Sequence, residues 1–525
     1  MNKQTITILD NEYWYGGIVN DGYLFPLDKN SEYSIDFSKN ISCNQIAPLF
    51  ISSKGRYLWV EDGGRVDFKE GIITVVSNDF ELDESSKTLK EAHLKLTAKR
   101  FAPNGRIPDE SLFLKPQLNT WIDLQKNQTQ EGILEYAQSY KDSGYDSGLF
   151  IIDDGWQTDY GDWTFDKKKF SAPKDMINKL HAMGFKVAVW LVPYVSMDLP
   201  IIDELLQNDA LLKEESGALI KAVWFDGVSY VLDFEKPYAK AWFNRVASSL
   251  KKEYGIDGFK FDCGDECYLE KPYKKANELT KLWVDVLEDK GDGYILETRA
   301  CYKYGGEHCV QRLADKAHIW GVEFVNDDSY QLGGFLRYGL SSMVPDILSQ
   351  GISGYLYGCA DMVGGGNVYD YGKGSKFDDE LFVRFCQATV FMPMIQFSYR
   401  YWKSENPKVR EVMKRCLQVR NDYVDYIVTL AKNASKSGEP ILRYMEYEFP
   451  NCGMEKVTDQ FMLGDKYLIA PIVKKRQTEK TVIFPPYTKW KDCFSDKVYT
   501  DRDTLIQVNE DTVLAFERID ERGKI

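Results

Sequence analysis

From about Pro116 onward, short apolar segments alternate with longer amphipathic ones, and this alternation constrains the fold more than any other feature of the sequence. Repeated strand–helix units of this kind build a parallel β-sheet that is covered by helices. Eight predicted strands within roughly 300 residues match a (β/α)8 TIM barrel with insertions, of fold class α/β. They are Leu118–Ile122, Gly148–Ile152, Lys186–Val192, Gly258–Asp262, Tyr294–Glu297, a weaker one at Lys316–Trp320, Gly354–Gly358 and Met394–Phe397.

The segments before and after the predicted barrel have a different pattern. Near the N-terminus, short β-branched or aromatic runs such as Tyr57–Val60 are broken by Gly, Asn, Asp and Ser, which is typical of a β-sandwich. After Gly453 the sequence returns to strands and turns, for instance at Tyr467–Val473. We therefore expect three domains: an N-terminal β-sandwich over 1–112, the catalytic barrel over 113–450 and a small C-terminal β domain over 451–525.

Charge and composition narrow the classes of partner. Lys and Arg number 66 and Asp and Glu 80, so the net charge is −14, which disfavours binding to nucleic acid or to anionic membranes. Met1–Asp10 contains no apolar run of signal-peptide length, and no segment reaches the ~18 apolar residues of a membrane span. These features predict a cytoplasmic protein with reduced thiols. The four scattered histidines and irregularly spaced cysteines predict no metal site and no cofactor, and a homo-oligomer is left open.

The predicted fourth strand ends in Phe259-Lys260-Phe261-Asp262. Because side chains alternate along a strand, Lys260 and Asp262 lie on one face and the two phenylalanines on the other. Active sites of such barrels lie at the C-terminal strand ends. An ammonium group beside a carboxylate keeps the carboxylate ionised, as a nucleophile requires. A purely structural ion pair at the strand end is an alternative of equal weight.

Other polar residues also follow predicted strands. Asp153-Asp154-Gly155-Trp156 follows the second strand, and these carboxylates could bind sugar hydroxyls with the Trp156 indole as a floor. The more common role of Asp at this place is to cap the next helix, and that alternative stays open. The triple glycine Gly364–Gly366 lacks the context of a phosphate-binding loop, and no G-x-S-x-G motif supports a serine hydrolase. Further candidates at strand ends are Trp190, Arg299 and Asp361.

Ile256-Asp-Gly-Phe-Lys-Phe-Asp262 resembles the nucleophile strand of glycoside hydrolase family 31. The resemblance extends from about Trp14 to Tyr499. The branch of the family that the chain most resembles contains bacterial α-galactosidases and the myogenesis-regulating glycosidase of animals. Further matching segments follow in the order of the family. They are Trp14–Gly17, Ile152–Trp156, Gly161–Asp166, Lys179–Phe185, Trp190–Pro193, Arg312–Lys316, Asp361–Gly365, Met394–Phe397, Asp459–Asp465 and Ala470–Pro471.

The resemblance implies roles for two aspartates. Asp262 matches the nucleophile, and Asp315 matches the acid/base because Trp320 follows it at the spacing of the family. Lys316 stands where the family usually has Asn, and its charge is expected to oppose protonation of Asp315. An apparent insertion over 322–335 carries Glu323, Asp327 and Asp328, and Asp327-Asp328 is the rival assignment for the acid.

The resemblance also implies a reaction and a substrate class. It implies a retaining exo-α-glycosidase that hydrolyses terminal α-linked sugars by double displacement, with two carboxylates ~5–5.5 Å apart. The Asp pair before Gly-Trp favours α-galactosides. α-Glucosides, α-xylosides or α-N-acetylgalactosaminides are alternatives, as are a transglycosylase and a non-catalytic sugar-binding protein. The predicted substrate-binding residues are Asp153, Asp154, Trp156, Trp190, Lys260, Arg299, Arg312, Trp320 and Asp361.

Overall fold

The centre of the protein is a closed barrel of eight parallel strands, which confirms the predicted fold class. The structure is a computed structural model, and it describes residues 2–39, 42, 44–146, 148–326, 334–372 and 377–519. The eighth strand pairs with the first, which closes the barrel. The barrel strands are Gln117–Asn119, Leu149–Ile152, Lys186–Leu191, Gly258–Phe261, Leu296–Thr298, Val310–Arg312, Gly358–Met362 and Met394–Phe397.

Two of the predicted barrel strands are wrong in position. The sixth strand is Val310–Arg312, and 316–320 lies in the loop beyond it; the seventh is Gly358–Met362, one strand length after the predicted 354–358. The prediction assumed a helix before each strand. Residues 299–309, all of them described, instead form a short link without a helix, so the sixth strand begins earlier in the chain.

Helices follow the other barrel strands and cover the outside of the barrel. The first begins after Thr129, whose hydroxyl accepts the backbone N–H of Gly132 as a cap. Three others begin with proline, and two of these, the helices that start at Pro237 and Pro407, end at a left-handed glycine, Gly255 and Gly438. The outer helices are Gln130–Asp142, Pro173–Ala182, Pro237–Tyr254, Ala276–Val284, Leu340–Ile352, Asp379–Thr389 and Pro407–Ser437. No helix in the part of the chain described is both long enough and apolar enough to cross a bilayer.

The N-terminal region consists of two antiparallel sheets that pack face to face, as the predicted β-sandwich requires. Trp14, Phe50 and Phe68 fill the space between them. One sheet contains Asn2–Thr7, Tyr33–Asp36, Arg65–Lys69 and Ile72–Ser77, and the other contains Trp14–Ile18, Gln45–Ser52, Tyr57–Val60 and Phe80–Asp83. The link after the fifth barrel strand adds Cys301–Tyr302 to the second sheet as a parallel strand, which attaches the sandwich to the barrel. The helix Leu89–Arg100 leads from the sandwich toward the barrel.

The C-terminal region is a predominantly antiparallel β structure, as predicted. Its main sheet contains Leu442–Arg443, Phe461–Leu463, Tyr467–Ile469, Trp490–Asp492, Val498–Tyr499 and Ala515–Arg518, and Glu479–Ile483 pairs with Asp503–Gln507 beside it. Leu442–Arg443 belongs to this sheet although it precedes the expected boundary at 450. The boundaries of the three domains remain predictions.

Extra elements extend from the C-terminal rim of the barrel, where the active site is expected. A hairpin of Gln157–Asp159 and Asp162–Phe165 follows the second strand. A three-stranded sheet, called here the inserted sheet, follows the third strand. It consists of Tyr194–Ser196, Lys221–Trp224 and Gly227–Val231. A ribbon of Val322–Asn326 and Gly334–Tyr338 follows the sixth strand at the predicted insertion.

Candidate active site

Asp262 directly follows the fourth barrel strand and is held by three donors. Its Oδ1 accepts the Arg299 Nε–H at 2.7 Å and the backbone N–H of Cys263 at 2.8 Å, and its Oδ2 accepts the Trp190 indole N–H at 3.1 Å. Burial by itself would raise the pKa of Asp262, but the positive charges of Arg299 and Lys260 hold it well below its ordinary value. The side chain keeps 13% exposure, so Asp262 is an ionised, oriented carboxylate that is open to a ligand.

Lys260 forms its direct ion pair with Asp153 and not with Asp262. The Nζ–Oδ2 distance is 2.6 Å, and both side chains are buried. In the barrel register Lys260 lies opposite Trp190 on one neighbouring strand and Glu297 on the other. Both interpretations of the strand-end pattern are therefore partly right: Lys260 forms a structural ion pair, and its charge still lowers the pKa of Asp262.

Arg312, at the end of the sixth strand, is buried and bridges three carboxylates. Its Nε donates to Glu297 at 3.1 Å, and its Nη1 donates to Asp315 at 2.7 Å and to Asp361 at 2.6 Å. Among the residues that the structure describes, no group of three or more His, Cys, Asp or Glu could hold a metal ion. The three ion pairs join Arg312 and its carboxylates into one network.

Asp361 anchors the loop that carries Asp315. Its Oδ2 accepts the backbone N–H groups of Lys316 at 2.7 Å and of Gly366 at 2.8 Å. Burial raises the pKa of Asp361 to about 6, against the opposing charge of Arg312. Asp361 also has a left-handed backbone with φ of 82°, a costly conformation that is concentrated at functional sites. The glycines Gly364–Gly366 thus wrap the chain around a carboxylate rather than around a phosphate.

Asp315 lies on the loop after the sixth strand, and its side chain is 45% exposed. Its neighbour Lys316 points away from it: the ammonium is fully buried and binds Asp346 at 2.5 Å and Ser342 at 3.2 Å, on the helix Leu340–Ile352. Lys316 therefore forms its direct ion pair with Asp346 and not with Asp315, and the expected effect of its charge on Asp315 stays a prediction.

Asp153 and Asp154 lie side by side at the end of the second strand. Asp154 is buried, and its oxygens accept the Gln157 amide at 2.8 Å and the Tyr160 hydroxyl at 2.9 Å. The next outer helix begins after Ala172 without a side-chain cap, which removes the capping role considered for these aspartates. Asp153 instead pairs with Lys260, and Asp154 lies 3.3 Å from the ammonium of Lys126.

The three predicted tryptophans have different surroundings. Trp190 donates to Asp262 and is part of the site. Trp156 is fully buried against Phe165, and its indole donates to the Trp190 carbonyl at 2.9 Å; it supports Trp190 from behind and does not form the expected floor of a sugar pocket. Trp320 donates to Asp378 at 3.1 Å, at the start of an outer helix, rather than to either catalytic candidate.

Two regions of the chain, one in the barrel and one in the C-terminal β structure, match known protein domains. Residues 116–290 match the model of the glycosyl hydrolases family 31 TIM-barrel domain, and residues 438–519 match the glycosyl hydrolase family 31 C-terminal domain. The chain belongs to glycoside hydrolase family 31. Family membership confirms the resemblance inferred from the strand-end motifs.

This family 31 chain is similar to a myogenesis-regulating glycosidase and to an α-xylosidase. It is 27% identical over 409 residues to the myogenesis-regulating glycosidase of Mus musculus, which covers 76% of this chain and 55% of that protein. It is 26% identical over 515 residues to an α-xylosidase of Lactiplantibacillus pentosus, which covers 90% of this chain and 61% of that protein. The matched region therefore spans little more than half the length of these relatives.

Solved structures show the same fold. A family 31 dextranase from Flavobacterium johnsoniae superposes with a TM-score of 0.81 at 18% identity, over 98% of this chain and 66% of that one. A family 31 sulfoquinovosidase from E. rectale superposes with a TM-score of 0.80 at 18% identity, over 99% of this chain and 83% of that one. At this level of identity the likeness concerns the fold alone.

Two glutamines support the site of this family 31 protein and were not predicted. Gln45, in the sandwich, donates its amide to the carbonyls of Arg299 at 2.5 Å and Arg312 at 2.8 Å, so one residue braces both site arginines. Gln396, in the eighth strand, donates to Glu297 at 2.7 Å. Gln396 stands inside a matched segment and could have been found; no local pattern marks Gln45, because its partners are more than 250 residues away.

The insertion after the sixth strand supplies one described carboxylate, Glu323. It is exposed on the ribbon and lies 3.7 Å from Arg337. Asp327 and Asp328 lie outside the described residues, so the rival assignment for the acid remains a prediction.

Proposed function

We propose that this protein is a retaining exo-α-glycosidase that hydrolyses terminal, uncharged α-linked sugars, with α-galactosides as the preferred substrates. The observation that carries the proposal is the setting of Asp262. Arg299 and Trp190 orient this carboxylate and keep it ionised at the C-terminal end of a barrel strand. A fixed, ionised carboxylate at one strand end and an exposed carboxylate, Asp315, on the loop after another strand supply the two groups that retaining hydrolysis needs.

In the first step, Asp262 attacks the anomeric carbon while Asp315 donates a proton to the glycosidic oxygen, so that the leaving group departs as a neutral alcohol. The product of this step is a glycosyl ester of Asp262. In the second step, Asp315 removes a proton from water, and the oxygen of that water displaces Asp262 and releases the sugar. The exposure of Asp315 suits this role, because Asp315 regains its proton in the second step from a water molecule that must reach it from solvent.

The pairing of the basic residues supports an uncharged sugar. Within the described part of the site, Lys260 is paired with Asp153, Arg299 with Asp262 and Asp265, and Arg312 with three carboxylates. A sulfonated or carboxylated sugar needs a cation that is not already neutralised. The excess of carboxylates would repel such a substrate.

The adjacent carboxylates Asp153 and Asp154 support galactose. A buried carboxylate that accepts hydroxyl hydrogen bonds discriminates against the epimer that leaves its acceptors unpaired, at roughly 1–3 kcal/mol per group. The axial C4 hydroxyl of galactose and its C6 hydroxyl are the groups that we assign to this pair. An α-xyloside is the second candidate, because an α-xylosidase is among the relatives.

A screen of nitrophenyl α-glycosides tests the proposal, with the Asp262→Asn protein as the control for contaminating activity. The galactoside, glucoside, xyloside and N-acetylgalactosaminide are compared. We expect the kcat/KM of the galactoside to exceed that of the glucoside by ~10-fold to several hundred-fold. Asp154→Ala should reduce both this ratio and the rate. Equal or faster turnover of the glucoside would overturn the galactose assignment, and sugar transfer in place of hydrolysis among the products would indicate a transglycosylase.

A further inference from the structure

Lys126 lies on the loop after the first barrel strand, and its ammonium is surrounded by groups from three other segments. The Nζ lies 3.3 Å from Asp154 Oδ2 and 3.3 Å from the Tyr160 hydroxyl, and it forms an ion pair with Asp226. It also lies over the ring of Phe225, 5.6 Å from its centre. Lys126 is 32% exposed, and this single cation joins the second strand end to the turn at Asp226 in the inserted sheet.

The backbone fixes the position of Lys126. Gly155 has a φ of 102°, and a Cβ at that position would lie 2.8 Å from the Lys126 Cα, so only glycine allows the two chains to come this close. The Gln128 side chain donates to the carbonyls of Asp153 and Asp154 at 2.6 and 3.0 Å. The glycine of the Asp-Asp-Gly-Trp motif therefore serves to place Lys126 against Asp154.

Lys126 also limits which lone pairs of Asp154 remain for a ligand. Oδ2 is occupied by the Tyr160 hydroxyl and Lys126, whereas Oδ1 carries the amide of Gln157 alone among the described contacts. Because these contacts fix the orientation of the Asp154 carboxylate, the free lone pair of Oδ1 points in one direction. A sugar hydroxyl can use it only from that direction.

The same cation anchors the tip of the inserted sheet. Phe225 and Asp226 form the turn between the strands Lys221–Trp224 and Gly227–Val231. The Phe225 ring packs 5.6 Å from the ring of Trp121 and remains 46% exposed. The Lys126–Asp226 ion pair therefore attaches an exposed aromatic tip next to the Asp154 side of the site.

We infer that Lys126 is a positioning residue that determines sugar specificity: it orients Asp154 and holds the Phe225–Asp226 tip against the pocket. The inference rests on the proposed function, because it assigns Asp154 to the hydroxyls at C4 and C6. Lys126 binds no reacting atom. Its loss should therefore weaken sugar discrimination through KM while chemistry at Asp262 continues.

The experiment compares Lys126→Met and Lys126→Arg with the parent. The kcat and KM are measured for the nitrophenyl α-glycoside that the parent prefers, for its C4 epimer and for its 6-deoxy counterpart. Two discrimination ratios follow from these values: the kcat/KM of the preferred glycoside divided by that of its C4 epimer, and divided by that of its 6-deoxy counterpart. We expect Lys126→Met to reduce the larger of these ratios by about 10-fold, mainly through KM. Lys126→Arg, which keeps the charge, should retain the ratio within about 3-fold. An unchanged ratio in a folded Lys126→Met protein overturns the inference.

Lys169 offers a matched control. Its Nζ donates to the carbonyls of Lys126 at 2.8 Å and Gly155 at 3.1 Å, so it joins the same two segments without touching a carboxylate. Lys169→Met should leave the discrimination ratio unchanged. An equal loss in Lys169→Met would show a general effect of loop order and would contradict a specific role for Lys126.

The background Asp154→Ala tests the route of the effect. If Lys126 acts through Asp154, then Lys126→Met should change the ratio no further in that background; an equal further loss contradicts the inference. If Lys126→Met does not fold, Asp226→Asn replaces it, and an unchanged ratio in Asp226→Asn overturns the anchoring of the tip. The proposed function is tested separately by the turnover of the parent protein, because that measurement needs no variant.

Discussion

The two carboxylates that we propose as catalytic, Asp262 and Asp315, have contrasting surroundings. Asp262 follows a barrel strand directly, is 13% exposed and accepts three hydrogen bonds, one each from the third and fifth strand ends and one from the backbone N–H of Cys263. Asp315 lies three residues beyond its strand, is 45% exposed and is held by Arg312. The barrel positions the proposed nucleophile, whereas a buried ion-pair network positions the loop of the proposed acid.

This contrast matches the chemistry of the two groups. A nucleophile must stay ionised and point at one carbon, which favours fixed donors at low exposure. An acid/base exchanges protons with water in every cycle, which favours contact with solvent. The loop of Asp315 is supported from below by two buried residues, Arg312 and Asp361.

The largest effect is expected on the strand side. Asp262→Asn should lower kcat by at least about a thousandfold with the fold intact, because no other carboxylate can form the covalent intermediate. Steady-state kinetics and circular dichroism measure the two effects. A 5-fluoro glycosyl fluoride should label the peptide that contains Asp262, and mass spectrometry that places the label elsewhere would show that the assignment is wrong.

On the loop side, the effect should depend on the leaving group. Asp315→Ala should slow substrates with poor leaving groups by about 10²–10⁴-fold and affect aryl glycosides or glycosyl fluorides far less. Added azide should restore part of the activity and yield a β-glycosyl azide. Asp327→Ala and Asp328→Ala are the controls. If either of them shows this pattern and Asp315→Ala does not, the insertion supplies the acid.

The network beneath the loop should matter for stability. Arg312→Met leaves Glu297, Asp315 and Asp361 without their shared cation and should destabilise the protein by about 3–5 kcal/mol in urea unfolding. The control is Lys115→Met, which removes a surface ion pair with Asp146 and should cost no more than about 1 kcal/mol. Equal effects of the two variants would mean that the network carries no special stability.

A smaller effect should appear in the pH profile. Burial raises the pKa of Asp154 to about 6 although Lys126 opposes this, and Asp226 and Tyr160 are the other titratable groups that act on it. As pH falls through 6, the carboxyl gains a proton and loses an acceptor, so KM should rise by up to about tenfold. Asp262 titrates far lower and does not cause this limb. Asp154→Asn cannot titrate, and the rise in KM should be missing; a rise that persists in Asp154→Asn assigns the limb to another group.

Local patterns predicted the strand side well. The period of two in Phe259–Asp262 placed Lys260 and Asp262 on one face, and the Asp pair after the second strand lies at the rim as expected. Prediction failed at the sixth strand, because the link 299–309 contains a strand of the sandwich where a helix was assumed. Cys301–Tyr302 forms a strand here because it pairs with Gln45–Ser52, a strand of another domain.

The sequence by itself determined the barrel and the residues at the ends of its second, third and fourth strands, because both follow from short-range periodicity and from the direction of parallel strands. The tertiary structure alone decided the partners: Asp153 for Lys260, Asp346 for Lys316, and Gln45 beneath both site arginines. These contacts join residues that are far apart in the chain. A pairing of that kind depends on how whole elements pack, and no local pattern records it.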